Sequence, residues 1–355
     1  MYLAIRDLKA ATGRFTLVGV VIALVALMGV LLSGLATGLV DDGISGLRAQ
    51  RFTHLVMQAK SAGVFSKSTL TTSETSKLDL DGVEHAELGV SFVNTRSSGG
   101  KSFDLALFGV APDSFLVPRA DARAALERAN SIVISQELAD DGLKVGDHLT
   151  ILGNEIELTV DGISQAGSYG HAPIAYTSLD TWQRAFYGND ARGRFSALAL
   201  RSDSDPKLAL GSDLELLTKD EAFDGSPGYA AETSTMDLIR FFLFLISALV
   251  VGAFFTVWTV QRTREIGLMK ALGASDGYVV RDALGQLAIV IIAATLVGSL
   301  LGYGLGLLVP GGVPFSLQPI SVLAGSALLV AVGMIGSVLT IRRISRVDPL
   351  IALGR

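Results

Sequence analysis

The sequence of 355 residues contains no cysteine. Disulfides, thiolate zinc sites, iron–sulfur clusters and cysteine nucleophiles are excluded together. Charge is also scarce. Asp, Glu, Lys and Arg make up 18% of the chain, against about 25% in a soluble domain. The formal charge of −5 and a pI near 5.4 lack the basic face of a nucleic-acid binder, so no nucleic-acid partner is expected. The four histidines, His54, His85, His148 and His171, show no ligand spacing and read as surface or loop residues, not as metal ligands.

What the chain has instead is apolar residues, half of its length, with a mean hydropathy of +0.49. Residues 15–40, 241–260, 283–309 and 315–341 contain no Asp, Glu, Lys or Arg. About 20 helical residues cross ~30 Å of hydrocarbon, and only helices or closed barrels satisfy their backbone there. Each stretch therefore predicts a transmembrane helix. The first is too long for the apolar core of a cleaved signal peptide and reads as a retained span.

Lysine and arginine set the orientation. The arm 1–14, the loop 261–282 and the tail 342–355 together hold 11 Lys/Arg against 5 Asp/Glu, whereas 41–240 holds 18 against 29 and the hairpin 310–314 holds none. Both termini are expected in the cytoplasm of a multi-pass plasma-membrane protein. The fold class is a polytopic α-helical membrane protein with four transmembrane helices and a mixed α/β extracytoplasmic domain between helices 1 and 2.

Within 41–240, residues 42–58 carry Ile44, Leu47, Arg51, Leu55 and Gln58 at roughly helical spacing, which predicts a stalk continuing the first span. Strands are predicted at 87–95, 103–110, 131–135 and 195–201. A hairpin is predicted from 148–152 through Gly153-Asn154 to 155–163, where Ile156, Leu158 and Val160 alternate. Residues 121–129 predict a short helix, and Gly99-Gly100 and 225–228 predict turns.

No catalytic constellation emerges. Ser135, His148 and Asp161 lack the strand–Gly-x-Ser-x-Gly–helix context of a hydrolase triad. Gly100-Lys101-Ser102 has the ending of a phosphate-binding loop, but Thr95 stands where that motif needs its first glycine. No nucleotide site and no intrinsic cofactor are expected.

The loop 261–275 reads Gln-Arg-Thr-Arg-Glu-Ile-Gly-Leu-Met-Lys-Ala-Leu-Gly-Ala-Ser. Ile266, Met269 and Leu272 recur at helical spacing, Arg262, Glu265 and Lys270 take other faces, and Gly273 supplies a helix stop. A short helix with one apolar edge and a basic rim can lie on lipid or dock into a partner's groove, and periodicity leaves both readings open. Further on, Gly298, Gly302 and Gly306 form a small-x-x-x-small ladder, with a second pair at Gly34 and Gly38, which suits close helix packing.

The run 261–275 resembles the signature of the FtsX/MacB-like permeases, the mechanotransmission (type VII) class of ABC transporters. The tail from Arg342 through Val347-Asp348-Pro349 to Leu353 is similar to that family's ending. Ser131–Ser135 and Leu143–Asp147 resemble its outer-domain core. The resemblance implies a homodimer or pseudo-dimer driven by cytoplasmic ABC ATPase subunits that bind the ATP, with Arg264, Glu265, Ile266, Met269, Lys270 and Leu272 as the coupling element. It also implies an amphipathic N-terminal arm with Tyr2, Ile5 and Leu8 on one edge. The chain itself is then a transport permease and not an enzyme.

For the cargo, chain size and loop wording resemble most the haem-exporter (HrtB-type) permeases, which implies efflux of haem or another hydrophobic small molecule. The alternatives are export of a peptide, antibiotic or lipid, and FtsX-like regulation of a cell-wall hydrolase. A ligand sensor is the reading from another class, and it expects an output domain where 14 residues follow the last span. At the outer junction of span two, Glu232, Met236 and Arg240 fall at i, i+4 and i+8 of a helix beside Phe241 and Phe244. A haem needs an axial ligand, flat apolar walls and cations for its propionates. Met236 or Glu232 is the candidate iron ligand, the phenylalanines the walls and Arg240 the cation.

Overall fold

The computed structural model describes residues 12–165, 167–188, 193–261, 268–269, 272–310 and 313–344. The chain divides into two compact units, one of residues 1–39 with 234–355, the other of residues 40–233.

The first unit contains most of each long helix. These are α1 (Thr12–Ala49) and, after five short helices of the other unit, α7 (Tyr229–Gln261), α8 (Asp276–Gly306) and α9 (Pro319–Ile344). All four are long and apolar enough to cross a membrane. Val18, Ile22 and Ala26 of α1, Val251 of α7, Leu287, Ile291 and Ala294 of α8 and Leu329 of α9 form their common core. Ser275 caps α8 by accepting from the Tyr278 N–H. Ahead of it Gly273 stops the preceding turn in a left-handed conformation, φ +97°, and the Ala274 N–H donates to Met269 O.

The glycine ladder has a definite use. A Cβ on Gly298 would lie within 2.8 Å of Ala23 C and Cα, and one on Gly302 3.0 Å from Leu27 O. Two turns of α8 thus press against the α1 backbone of the same chain. Gly306 and Gly34 make room for the Phe315 ring, which a Cβ would approach to 2.9 Å and 2.5 Å respectively.

The second unit is built on a sheet whose strands are β1 (His54–Gln58), β3 (Glu84–Ser97), β4 (Ser102–Val110), β5 (Ser131–Ile134), β6 (His148–Ile151), β7 (Glu157–Ile163), β8 (Ser168–Tyr169), β9 (Ala172–Ser178), β11 (Ala197–Arg201) and β12 (Leu214–Thr218). Two short strands, β2 (Leu70–Thr71) and β10 (Arg194–Phe195), pair separately. The order is β12-β1-β11-β3-β4-β9-β5-β7-β6, and β6 also pairs with β3. Six strands therefore close on themselves, with β11, β1 and β12 as a wing. The short helices are α2 (Thr72–Thr75), α3 (Ala120–Leu126), α4 (Gln136–Asp140), α5 (Leu179–Tyr187) and α6 (Lys219–Asp224). Trp182 of α5 is buried over the facing pair Gly89↔Gly109. A Cβ at either glycine would come within 2.5 Å of the Trp182 side chain.

Several elements depart from the sequence reading. The predicted stalk over 42–58 ends as helix at Ala49, where Lys219 Nζ donates to Arg48 O (2.8 Å) and Gln50 O (2.6 Å). Leu55, Val56 and Met57 are instead buried on both faces of β1, between β11 and β12. A run buried on both faces carries no alternation to distinguish it from helix. The turn at Gly153-Asn154 extends through Glu155, whose φ of +55° removes it from the predicted strand. Sequence reading also passed over β9, β12 and α5. Glu232, Asp237 and Arg240 ride on α7, which begins at Tyr229 directly after Gly228 (φ +84°); the outer range 41–240 had counted this segment by its charge.

Candidate functional site

Helical geometry across 229–261 gives Glu232, Met236, Arg240, Phe241 and Phe244 the spacing expected of them. Their surroundings separate them. Glu232 belongs to the α/β unit, where its Oε1 is 3.0 Å from His171 Nε2. The Oε2 atom is buried and has no hydrogen-bond partner among the described residues. The other ring nitrogen, Nδ1, is 2.9 Å from Asp42 Oδ2, and Ser168 Oγ donates to Asp42 Oδ1 (3.1 Å).

This bridge was not anticipated. Gly170 (φ +57°) and His171 (φ +63°) are the two central residues of the turn joining β8 and β9, a type I′ arrangement that favours Asn or Gly. The Gly170 N–H donates to Gly43 O of α1 (2.8 Å), which seats the turn on the helix. A neutral imidazole has one donor and one acceptor, and ionised carboxylates only accept. Two carboxylates on one ring therefore select the imidazolium. Burial of the ring alone would lower the His171 pKa, but the hydrogen bonds to Asp42 and Glu232 outweigh it and hold the pKa above its usual value. The sequence signal was weak: a Gly-His pair between two short strands, with carboxylates more than 60 residues away.

In the membrane unit, Arg240 and Phe244 line a cavity of about 330 Å³ together with Gly29, Val30 and Ser33 of α1, Ser299 of α8, and Ser321, Gly325 and Leu329 of α9. Arg240 Nη1 also donates to Asp237 Oδ1 (3.3 Å), an exposed pair one turn apart. Arg240 is the one ionisable side chain among the lining residues. Ser299 Oγ and Ser326 Oγ satisfy each other at 2.8 Å. Met236 is half-buried and outside the lining. Phe241 is 60% exposed and rests edge-on against Phe242. The structure thus brings Arg240 and Phe244 together in one cavity and leaves Glu232, Met236 and Phe241 out of it.

Of the residues expected to couple to an ATPase, Arg264, Glu265, Ile266 and Lys270 lie outside the described residues, as do Tyr2, Ile5 and Leu8 of the arm. Met269 is half-buried and Leu272 is 81% exposed. The discarded triad is dispersed: Ser135 precedes α4 and is buried, His148 lies beside Glu157 (3.3 Å), and Asp161 pairs with Arg128 (2.8 Å). Gly100-Lys101-Ser102 turns from one strand into the next and not into a helix, so it cannot cradle a phosphate as that loop does. No group of three or more His, Asp or Glu that could hold a metal ion occurs among the described residues.

Two family models match the chain: the MacB-like periplasmic core domain over residues 15–211 and the FtsX-like permease C-terminal domain over 238–349. A putative hemin transport system permease protein HrtB of Staphylococcus haemolyticus is 27% identical over 100% of this chain and 99% of its own length. An uncharacterized ABC transporter permease of Mycobacterium tuberculosis is 22% identical over the same shares. The macrolide export ATP-binding/permease protein MacB of Photorhabdus laumondii is 34% identical over 35% of this chain and 21% of its own. The crystal structure of the periplasmic region of MacB from Actinobacillus actinomycetemcomitans has a TM-score of 0.34 at 14% identity, covering 49% of this chain and 92% of that one. With both models matched in order and four helices fit to span a membrane, the chain belongs to the FtsX/MacB-like ABC transporter permeases and is a multi-pass membrane protein.

Proposed function

We propose that this chain is the permease subunit of an ABC-type efflux transporter that expels haem, with ATP bound and hydrolysed by a separate cytoplasmic ATPase. The observation that carries the reading is the end-to-end similarity to a hemin transport permease. The cavity beside α7 suits it chemically, with apolar walls, the Phe244 ring and the Arg240 cation. Arg240 would bind the propionates by charge-assisted hydrogen bonds. Met236, outside the lining of one protomer's cavity, or Glu232, whose Oε2 has no hydrogen-bond partner among the described residues, would supply the axial ligand.

At about 330 Å³ the cavity is at the small end of the ~300–1,000 Å³ of ligand pockets, so one protomer does not enclose a porphyrin. A homodimer presenting two such faces about a two-fold axis would complete the site. The Lys/Arg bias puts both termini and the loop after α7 in the cytoplasm, where Met269 and Leu272 meet the ATPase, and the α/β unit outside.

Haemin added to the purified protein should give a Soret band. Met236→Ala or Glu232→Ala should move the band by changing the iron's ligand field. Arg240→Ala should weaken binding and leave the band position alone. A protein that gives no haemin-dependent spectrum is not a haem permease, and its family membership is unaffected.

A further inference from the structure

The cavity lined by α1, α7, α8 and α9, to which the haem reading assigns the propionates, supports a second ligand class. Gly325 lies in its wall, and a Cβ there would meet nothing within 4 Å. Its walls are apolar apart from serine hydroxyls and one cation. An ionisable residue on a transmembrane helix marks a functional position by default. Asp237, the partner of Arg240, has a side chain 64% exposed. It offers one contact of 3.3 Å to a guanidinium with five donors, and exposed pairs of this kind bind weakly.

We infer that this cavity binds a single-chain anionic amphiphile drawn from the surrounding membrane, its tail between α1 and α9 and its acidic head on Arg240. The small volume argues against a two-chain lipid, and one guanidinium matches one acidic head, whereas the haem reading needs the cavities of two protomers. The inference goes beyond the cargo reading and does not depend on it.

The test uses the full-length protein in phosphatidylcholine nanodiscs and a palmitate bearing a terminal diazirine, with photo-adducts mapped by peptide mass spectrometry. Adducts should fall on α1 between residues 26 and 33 and on α9 between 321 and 329. Unlabelled palmitate should compete, and hexadecyltrimethylammonium should not. Gly325→Leu, which fills the void, should cut the adduct at least tenfold, while Gly304→Leu, where a Cβ also meets nothing but outside the lining, should leave it unchanged. Arg240→Gln should abolish the preference for palmitate over hexadecanol, and this arm decides the matter should Gly325→Leu misfold. Adducts concentrated on the exposed Leu245 or Leu300, equal competition by the cation, or a preference that survives Arg240→Gln would overturn the proposal. So would haemin displacing the probe more effectively than palmitate, which reassigns the cavity to a porphyrin. Absence of a Soret band with the palmitate adduct intact would sink only the haem reading.

Discussion

Replacing Gly298 with alanine tests how α8 packs on α1. The added methyl would lie 2.8 Å from Ala23 C and Cα and closer still to Ala23 O. All three are backbone atoms, so no rotamer change relieves the clash and the helices must separate. Overpacking of this kind costs about 1–3 kcal/mol. With backbone on the receiving side we expect the upper half, about 2–3 kcal/mol, or roughly a 30- to 150-fold loss in the folded-to-unfolded ratio. Gly304 and Gly325 provide the contrast, since a Cβ at either meets nothing within 4 Å. Alanine there should be neutral or stabilise the helix by up to ~1 kcal/mol. Titration of mixed micelles with dodecyl sulfate, followed by circular dichroism, gives the unfolding midpoint of each variant. A Gly298→Ala midpoint equal to that of Gly304→Ala would refute the intrachain packing and free the ladder for a contact between subunits.

The His171 bridge makes stability depend on pH with a definite sign. Its folded-state pKa is raised, so the stabilisation is complete below the unfolded value of ~6.5 and fades as pH rises through the folded one. Melting curves of wild type and His171→Gln should differ at mildly acidic pH and converge in alkali; a gap that widens in alkali would contradict the assignment. For topology, cysteine introduced at Lys101 should react with an impermeant thiol reagent in intact cells, and cysteine at Ser275 should not; the lack of native cysteine makes the labelling clean, and reversed labelling would invert the orientation. For coupling, Met269→Asp should abolish co-purification of the ATPase while membrane insertion stays normal, because it buries an unpaired carboxylate in an apolar contact; undiminished co-purification would assign that helix to the lipid surface.

Legibility in the sequence followed the range of the interactions. The membrane helices could be read because lipid imposes its demand residue by residue: uncharged runs mark them, and Gly273 marks a stop, whereas the Ser275 cap that starts α8 ahead of the uncharged run was not read. Strands with one polar face, such as β7 with Leu158 and Val160 buried, could be read from alternation. His54–Gln58 could not, because burial on both faces erases the period. The closure of the sheet joins Thr95–Ser97 to Leu149–Ile151, a pairing that no local pattern announces. The spacing of the candidate site residues was legible because it belongs to one helix. Their environments were not. His171 reaches Glu232 across 61 positions, and the cavity takes its walls from residues between Ala26 and Leu329. Long-range geometry therefore divided a face that helical periodicity had presented as one site.

The central claim, that this permease moves haem at the expense of ATP, is tested most directly by transport itself. The permease and its ATPase would be reconstituted in proteoliposomes, and haemin release to an external apo-haem protein would be followed by its Soret absorbance. The account predicts release that requires both subunits and ATP, and that slows at least tenfold with Met236→Ala or Glu232→Ala. ATP hydrolysis that proceeds at its full rate with no movement of haemin would contradict it.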